Sequence, residues 1–349
     1  MTLNYIGSKK SLLSFLEVPL KSLMTKDTIF LDGFAGTGIV GSHFHNTYNN
    51  ITIANDLEYY SHIINYATLC VEYSDKLEKV INKINNSLKT PQIIESYDLI
   101  ANNYSPKGDE ERMFWTEENA IKCDYTRYLI DRMIEMKEID KYEHKFIVAS
   151  LLLAMDKVAN TASVYGAFLK KFKNSALKPL VIVPIHTIRK LNKLNKVYNI
   201  DINSEEILNN NYDIVYLDPP YNERQYSSNY HPLNYIAHYN KSLEIYGKTG
   251  LIKNYNKSQY CNKKSALDNL KNLVHNLKTK HILLSYNNEG IMDIIKVKEL
   301  LVSNGQVILY KKKYKKFKSQ ITQEDENVFE YLFHCTKSND KTYKEIIID

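Results

Sequence analysis

The chain of 349 residues carries a formal charge of +6, with 44% hydrophobic and 25% charged residues, which excludes a disordered or fibrous protein. No run reaches the about 18 apolar residues a membrane helix needs, and the N-terminal MTLNYIGSKK lacks the apolar stretch of a signal peptide. A cytoplasmic protein with no membrane partner is therefore expected. Cys70, Cys123, Cys261 and Cys335 lie far apart, without CxxC spacing or a neighbouring histidine cluster, which argues against a disulfide frame or a zinc site.

In chain order, residues 11–24 carry apolar positions at helical spacing, with Pro19 placed to bend or divide the helix. The apolar run Thr28-Ile29-Phe30-Leu31-Asp32 predicts a strand that ends in a glycine-rich turn, Gly33 to Gly38, followed by a helix from Ile39. Ile51–Asp56 predicts a second strand ending in an acid. Strand, glycine turn, helix, strand and terminal acid open a nucleotide-binding α/β sheet. Helical patterns then dominate, at 73–88, 117–137 and 143–158, until a strand signal at Leu180–Val183. The α/β rhythm resumes at Val197–Asp201, at Tyr212–Leu217 and at His281–Tyr286, and Gln306–Tyr310 with Val328–Phe333 reads as a closing pair of strands. With no repeat and no low-complexity linker, the expectation is an α/β sheet built from residues 1–69 and 191–349, interrupted by a mainly helical insertion over 70–190.

The turn Phe34-Ala35-Gly36-Thr37-Gly38 lets backbone approach a ligand at a strand end, and Asp56 fits an acid on ribose hydroxyls. NAD, FAD and S-adenosylmethionine all satisfy this much, although the turn is not a complete GxGxxG. Asp218-Pro219-Pro220-Tyr221, directly after the buried strand 212–217, discriminates between them. A purine's exocyclic amine is a poor nucleophile because its lone pair is delocalised into the ring. The Asp218 carboxylate and the Pro219 carbonyl, fixed by proline rings, can accept from both N–H groups and aim the lone pair at a methyl sulfonium. Tyr221 offers a face for stacking the base, worth about 1–3 kcal/mol. In-line methyl transfer requires positioning rather than a Lewis acid, so no metal is expected, and His186, His231 and His334 show no ligand spacing.

With these motifs in place, the sequence resembles the Dam-like, D12 class of N6-adenine DNA methyltransferases with the α-group motif order. The resemblance rests on Asn4-Tyr5-Ile6-Gly7-Ser8-Lys9, Phe34–Gly38, Asn55-Asp56, Asp201, Asp218–Tyr221, Asn222–Tyr226, Ser285–Gly290 and the basic stretch Tyr310–Lys318. It implies a Rossmann-like S-adenosylmethionine-dependent methyltransferase sheet, a site-specific adenine-N6 methyltransferase and a cognate endonuclease acting separately in a restriction–modification system. Carried over by position, Tyr5, Lys9, Phe34, Ala35, Gly36, Gly38, Asp56 and Asp201 would hold S-adenosylmethionine, with Lys9 near its carboxylate. Asp218, Pro219, Pro220 and Tyr221 would hold the flipped adenine. Tyr5 stands where such enzymes can carry tryptophan, a change that keeps an aromatic face.

Only five of the 46 basic residues are arginine, and the lysines cluster at 170–178, at 189–196 with Arg189, and at 311–318. Basic stretches interleaved with aromatics suit double-stranded DNA. Ser163, Tyr165, Lys170 and Lys171 in the insertion, Arg224, and Lys312, Lys313 and Lys315 are the expected contacts, with the insertion as the target-recognition region. An RNA adenine or a protein amide is the second substrate reading for the same Asp-Pro-Pro-Tyr corner. A non-catalytic DNA-binding module is a third reading, and a dinucleotide oxidoreductase ranks last.

Overall fold

The computed structural model describes residues 3–185, 191–314 and 328–348. Its core is an eight-stranded sheet of β1 (Ile29–Asp32), β2 (Ile51–Asn55), β3 (Lys196–Tyr198), β4 (Asn211–Leu217), β7 (Lys278–Asn287), β8 (Gly305–Tyr314), β9 (Val328–Lys337) and β10 (Tyr343–Ile348). A separate two-stranded hairpin comprises β5 (Ile245–Tyr246) and β6 (Leu251–Ile252). The sheet order is β10-β8-β9-β7-β4-β1-β2-β3. Only β9 runs antiparallel to its neighbours β7 and β8, and every other pair is parallel. This is the Rossmann-like α/β sheet expected from the sequence.

Parallel strands need coverage on both faces, and the period-two alternation of β4 supplies it. Ile214 and Tyr216 face one layer with α1 (Leu13–Glu17) and α2 (Ile39–Tyr48). Val215 and Leu217 face the other, with α8 (Glu205–Leu208), α10 (Ala266–Asn276) and α11 (Ile294–Val302). The stretch 11–24 is less helical than its pattern predicts. A 3-10 turn at Lys9–Leu12 and the five-residue α1 give way to turns from Val18, one residue before Pro19.

Between β2 and β3 the chain builds α3 (Tyr59–Cys70), α4 (Asp75–Ser87), α5 (Leu99–Tyr104), α6 (Glu117–Glu135) and α7 (Lys141–Lys157). Helix α7 is apolar nearly all round and is buried from Phe146 to Asp156, the behaviour of a central core helix. The helical core is not confined to 70–190. It recruits α3, then α9 (Tyr226–His238) and Ile252 of the hairpin, which follow β4 in sequence. The expected strand at Leu180–Val183 does not form. Its backbone is held by side-chain amides instead: Leu180 N–H donates to Asn119, and Ile182 exchanges both of its backbone bonds with Asn85.

Candidate active site

The carboxyl ends of β1, β2 and β4 meet the N-terminal segment in one cleft of about 770 Å³, counting the space open to solvent. Tyr5, Lys9, Phe34, Asp56, Asp201, Asp218, Pro219, Pro220 and Tyr221 all line it. Sequence motifs spread over more than two hundred positions thus converge because parallel strands deliver their C-terminal ends to one edge.

Ala35, Gly36 and Gly38 do not line the cleft; they shape the wall behind it. Ala35 N–H donates to Asn55 O at 2.9 Å. Gly36 adopts φ +51°, and a Cβ there would stand 2.9 Å from the Tyr5 ring, so only glycine lets that ring lie on the turn. Gly38, at φ +74°, precedes α2 with the Asn65 amide packed against it. The residue of this turn that reaches the cleft beside Phe34 is Gly33.

Asp56 accepts from Gly36 N–H at 2.7 Å through Oδ2 and from Glu58 N–H at 2.8 Å through Oδ1, which fixes the carboxylate and leaves lone pairs for hydroxyl donors. Burial raises its pKa, and those backbone donors oppose the rise. Glu58, pushed up to about 7 by burial, accepts from Ser227 at 2.5 Å and Asn234 at 2.6 Å, tying α9 to the cleft. Ile200, Ile202, Phe34 and Tyr260 form an apolar slot, with Phe34 and Tyr260 edge to face at 5.0 Å. Asp201 sits exposed at its rim. Tyr5 stacks on Tyr230 at 5.0 Å and leans on Tyr226 at 5.6 Å.

At the end of β4 the chemistry is tighter than the motif alone conveys. Asp218 Oδ1 accepts from the Tyr221 hydroxyl at 2.6 Å and lies 3.1 Å from Lys9 Nζ. Its Oδ2 and the Pro219 carbonyl have no hydrogen-bond partner among the described residues. Lys9 is buried, donates to the Tyr221 hydroxyl at 2.9 Å and sits over the Tyr221 ring, 4.8 Å from its centroid. Burial alone would lower its pKa, but Asp218 and then Glu330 hold the ammonium above its ordinary value. Glu330, on β9, stands 3.6 Å from Lys9 and was not singled out in the sequence. The one signal was an acid inside the apolar run Val328–Phe333. Beyond Tyr221, Ile291 N–H donates to its carbonyl and Tyr286 packs edge-on against its ring, so the 285–290 turn does border the site.

The expected DNA contacts separate. Ser163, Lys170, Lys171 and Arg224 are exposed. A Cβ on Gly166 would fall 1.9 Å from an Arg224 guanidinium nitrogen, so Arg224 lies on the insertion's loop. Tyr165 is instead fully buried, its hydroxyl donating to Asp156 at 2.9 Å, and offers no surface to a duplex. Lys173 is spent on the loop itself, donating to Thr161 O. Lys312 is half-buried with its ammonium over Phe15, while Lys311 pairs with Glu345 at 2.5 Å. Lys315, the Lys313 side chain, Arg189, Lys190 and His186 lie outside what the structure describes.

An open, mostly parallel sheet with a glycine turn after its first strand, and with Asp56 and the Asp218-Pro219-Pro220-Tyr221 corner in one cleft at its carboxyl edge, has the architecture of a Rossmann-like methyltransferase. The chain belongs to the D12 class of N6 adenine-specific DNA methyltransferases, whose family model matches residues 5–302. It is 39% identical over 343 residues to the type II methyltransferase M.NlaIII of Neisseria lactamica, covering 96% of this chain and 100% of that one. To M.CviAII of Paramecium bursaria Chlorella virus 1 it is 37% identical over 334 residues, 95% of this chain and 97% of the relative. M.FokI of Planomicrobium okeanokoites shares 35% identity over 96% of this chain, which corresponds to 53% of that longer protein.

Proposed function

We propose that this methyltransferase uses S-adenosylmethionine to modify an adenine extruded from double-stranded DNA at a specific site, in the cytoplasm, as the modification half of a restriction–modification system with a separate endonuclease. The observation that carries this reading is that the Gly33–Phe34 turn and the Asp218–Tyr221 corner line the same cleft. The lining fits S-adenosylmethionine by its chemistry: an acid at Asp56 for hydroxyls, an apolar slot at Phe34, Ile200, Ile202 and Tyr260 for a purine, and an acid at Asp201 for its amine, whereas the Lys9 ammonium expected for its carboxylate is taken up by Asp218, Glu330 and Tyr221. When bound, it supplies an electrophilic methyl on a sulfonium.

The chain's own groups prepare the amine. Asp218 Oδ2 and the Pro219 carbonyl accept from the two N–H groups, drawing the nitrogen toward tetrahedral geometry, while Tyr221 and Lys9 anchor the opposite carboxylate oxygen. Positive charge arrives on that nitrogen as the methyl transfers, and Asp218 Oδ2, already accepting from one of its N–H groups, takes the released proton and passes it to solvent. Extruding the base costs a few kcal/mol, offset by phosphate contacts from exposed lysines. The helical layer is the target-recognition region, with Ser163, Lys170, Lys171 and Arg224 on its exposed loop.

Expression in a methylation-free host, followed by long-read mapping, should reveal one modified adenine motif. Asp218→Ala should cut turnover at least about 100-fold while DNA affinity is largely kept. Methylation of no DNA adenine by the parent protein would refute the reading, and near-normal turnover by the variant would refute the role of Asp218.

A further inference from the structure

Glu330 belongs to none of the motifs above, and its placement is set by the sheet. On β7, Leu284 pairs with Leu217 of β4, and three residues further Asn287 pairs with Glu330. Glu330 is therefore carried past the end of β4, to the level of the Asp218–Tyr221 corner. There it shares one ammonium with Asp218: Lys9 Nζ lies 3.1 Å from Asp218 Oδ1 and 3.6 Å from Glu330 Oε1. The other Glu330 oxygen, Oε2, is buried and has no hydrogen-bond partner among the described residues. An acid that leaves one oxygen buried and unpaired beside a second carboxylate costs folding energy, so its charge calls for a functional account.

We propose that Glu330 is a positioning residue that acts through Lys9, sharing the ammonium so that Asp218 remains a strong acceptor and the cluster keeps a net negative charge facing the adenine amine. The inference deepens the methyl-transfer reading given above and rests on it. Paired with Lys9 alone, Asp218 would be a neutralised acceptor. With Glu330 ionised, Lys9, Asp218 and Glu330 together carry one net negative charge, placed where positive charge develops on nitrogen. The ammonium is also held between two acids rather than drawn wholly onto one.

The groups facing Glu330 are Lys9 from the N-terminal turn, Asp218, Tyr216 and Tyr221 from β4 and its corner, Asn287 from β7, and Lys312 directly opposite on β8. Burial first, then the Asp218 charge, pushes the Glu330 carboxyl up to about 7, with Lys9 opposing. Turnover should therefore rise with pH as Glu330 ionises.

The test is the pH profile of kcat at saturating S-adenosylmethionine and duplex DNA for the parent, Glu330→Gln and Glu330→Asp. Glu330→Gln should lower kcat about tenfold at pH 8 and lose the rising limb near neutrality, with the KM for S-adenosylmethionine little changed. Glu330→Asp keeps the charge and should retain the limb and most of the turnover. Parent-like kcat and profile in Glu330→Gln, or a loss confined to the KM for S-adenosylmethionine, would overturn the inference while leaving the methyltransferase reading intact. An inactive parent would instead strike that reading. Should Glu330→Gln fail to fold, Glu330→Asp decides: a profile without the limb overturns the inference.

Discussion

Tyr221 does more than offer a ring to the base. Its hydroxyl accepts from Lys9 and donates to Asp218, so it locks the carboxylate rotamer that the amine must meet. Tyr221→Phe keeps the ring and removes that lock. A hydrogen bond to a charged group contributes about 1.5–3 kcal/mol, so kcat should fall at least about tenfold while the KM for DNA stays near the parent's. Tyr221→Ala should add a rise in the DNA KM, because the stacking face goes too. Steady-state kinetics on one duplex substrate separates the two, and a parent-like kcat in Tyr221→Phe would show that the hydroxyl does not orient Asp218. Lys9, Asp218 and Tyr221 are thus one unit, and single substitutions within it should not add.

At the scale of elements, the loop from Asn160 to Lys173 joins residues with opposite duties. Tyr165 and Asn160 build it: Asn160 donates to Met113 O and Leu169 O, and Tyr165 supports Asp156, whose other oxygen takes Asn4 N–H. Lys170 and Lys171 only ride on it. Tyr165→Phe should accordingly cost about 1–3 kcal/mol of unfolding free energy, because it strips a buried carboxylate of a donor, with an unchanged salt dependence of DNA binding. Lys170→Ala and Lys171→Ala should each flatten the slope of log affinity against log salt by about 1 with little effect on stability. Equal slopes for parent and lysine variants would remove this loop from the DNA interface. The same contrast explains what the sequence made legible. Asp218–Tyr221 and the Phe34 turn stood out because each follows a short apolar strand and its chemistry is local. Tyr165 looked like a surface aromatic among polar residues, and nothing nearby signals a partner at Asp156 in the core. Leu180–Val183 read as a strand because β-branched composition does not reveal that Asn85 and Asn119 satisfy its backbone. Glu330 was invisible because its partner Lys9 is 321 positions away and meets it only after the sheet assembles.

Over the whole molecule, a chain of net charge +6 gathers acids at one edge of its sheet. Burial pushes Asp32, Glu58 and Glu330 up to about 7 there, and Asp124 in the helical layer to about 6. Their unperturbed values are 3.8 for aspartate and 4.5 for glutamate, so the folded state binds protons that the unfolded chain has already released. Stability is therefore lost as pH rises through about 7. His62, His231 and His334 are held down to about 4 by burial, and they oppose this below about 7.5, where the unfolded chain begins to take up protons that the fold refuses. Between pH 6.5 and 8.5 the carboxyls prevail, and after the partial offset by the histidines the net loss should be about 1 kcal/mol of unfolding free energy. The thermal midpoint should fall by about one or two degrees over that window and level off above it, where the carboxyls are ionised in both states, as read by calorimetry at constant ionic strength. Glu330→Gln removes one of the three carboxyl titrations near 7 and should reduce the net slope by more than half, whereas Lys170→Ala should leave it as it is. A midpoint that rises from pH 6.5 to 8.5 would mean that these acids are already ionised in the fold, and the cleft would then be far more negative at neutrality than its burial dictates.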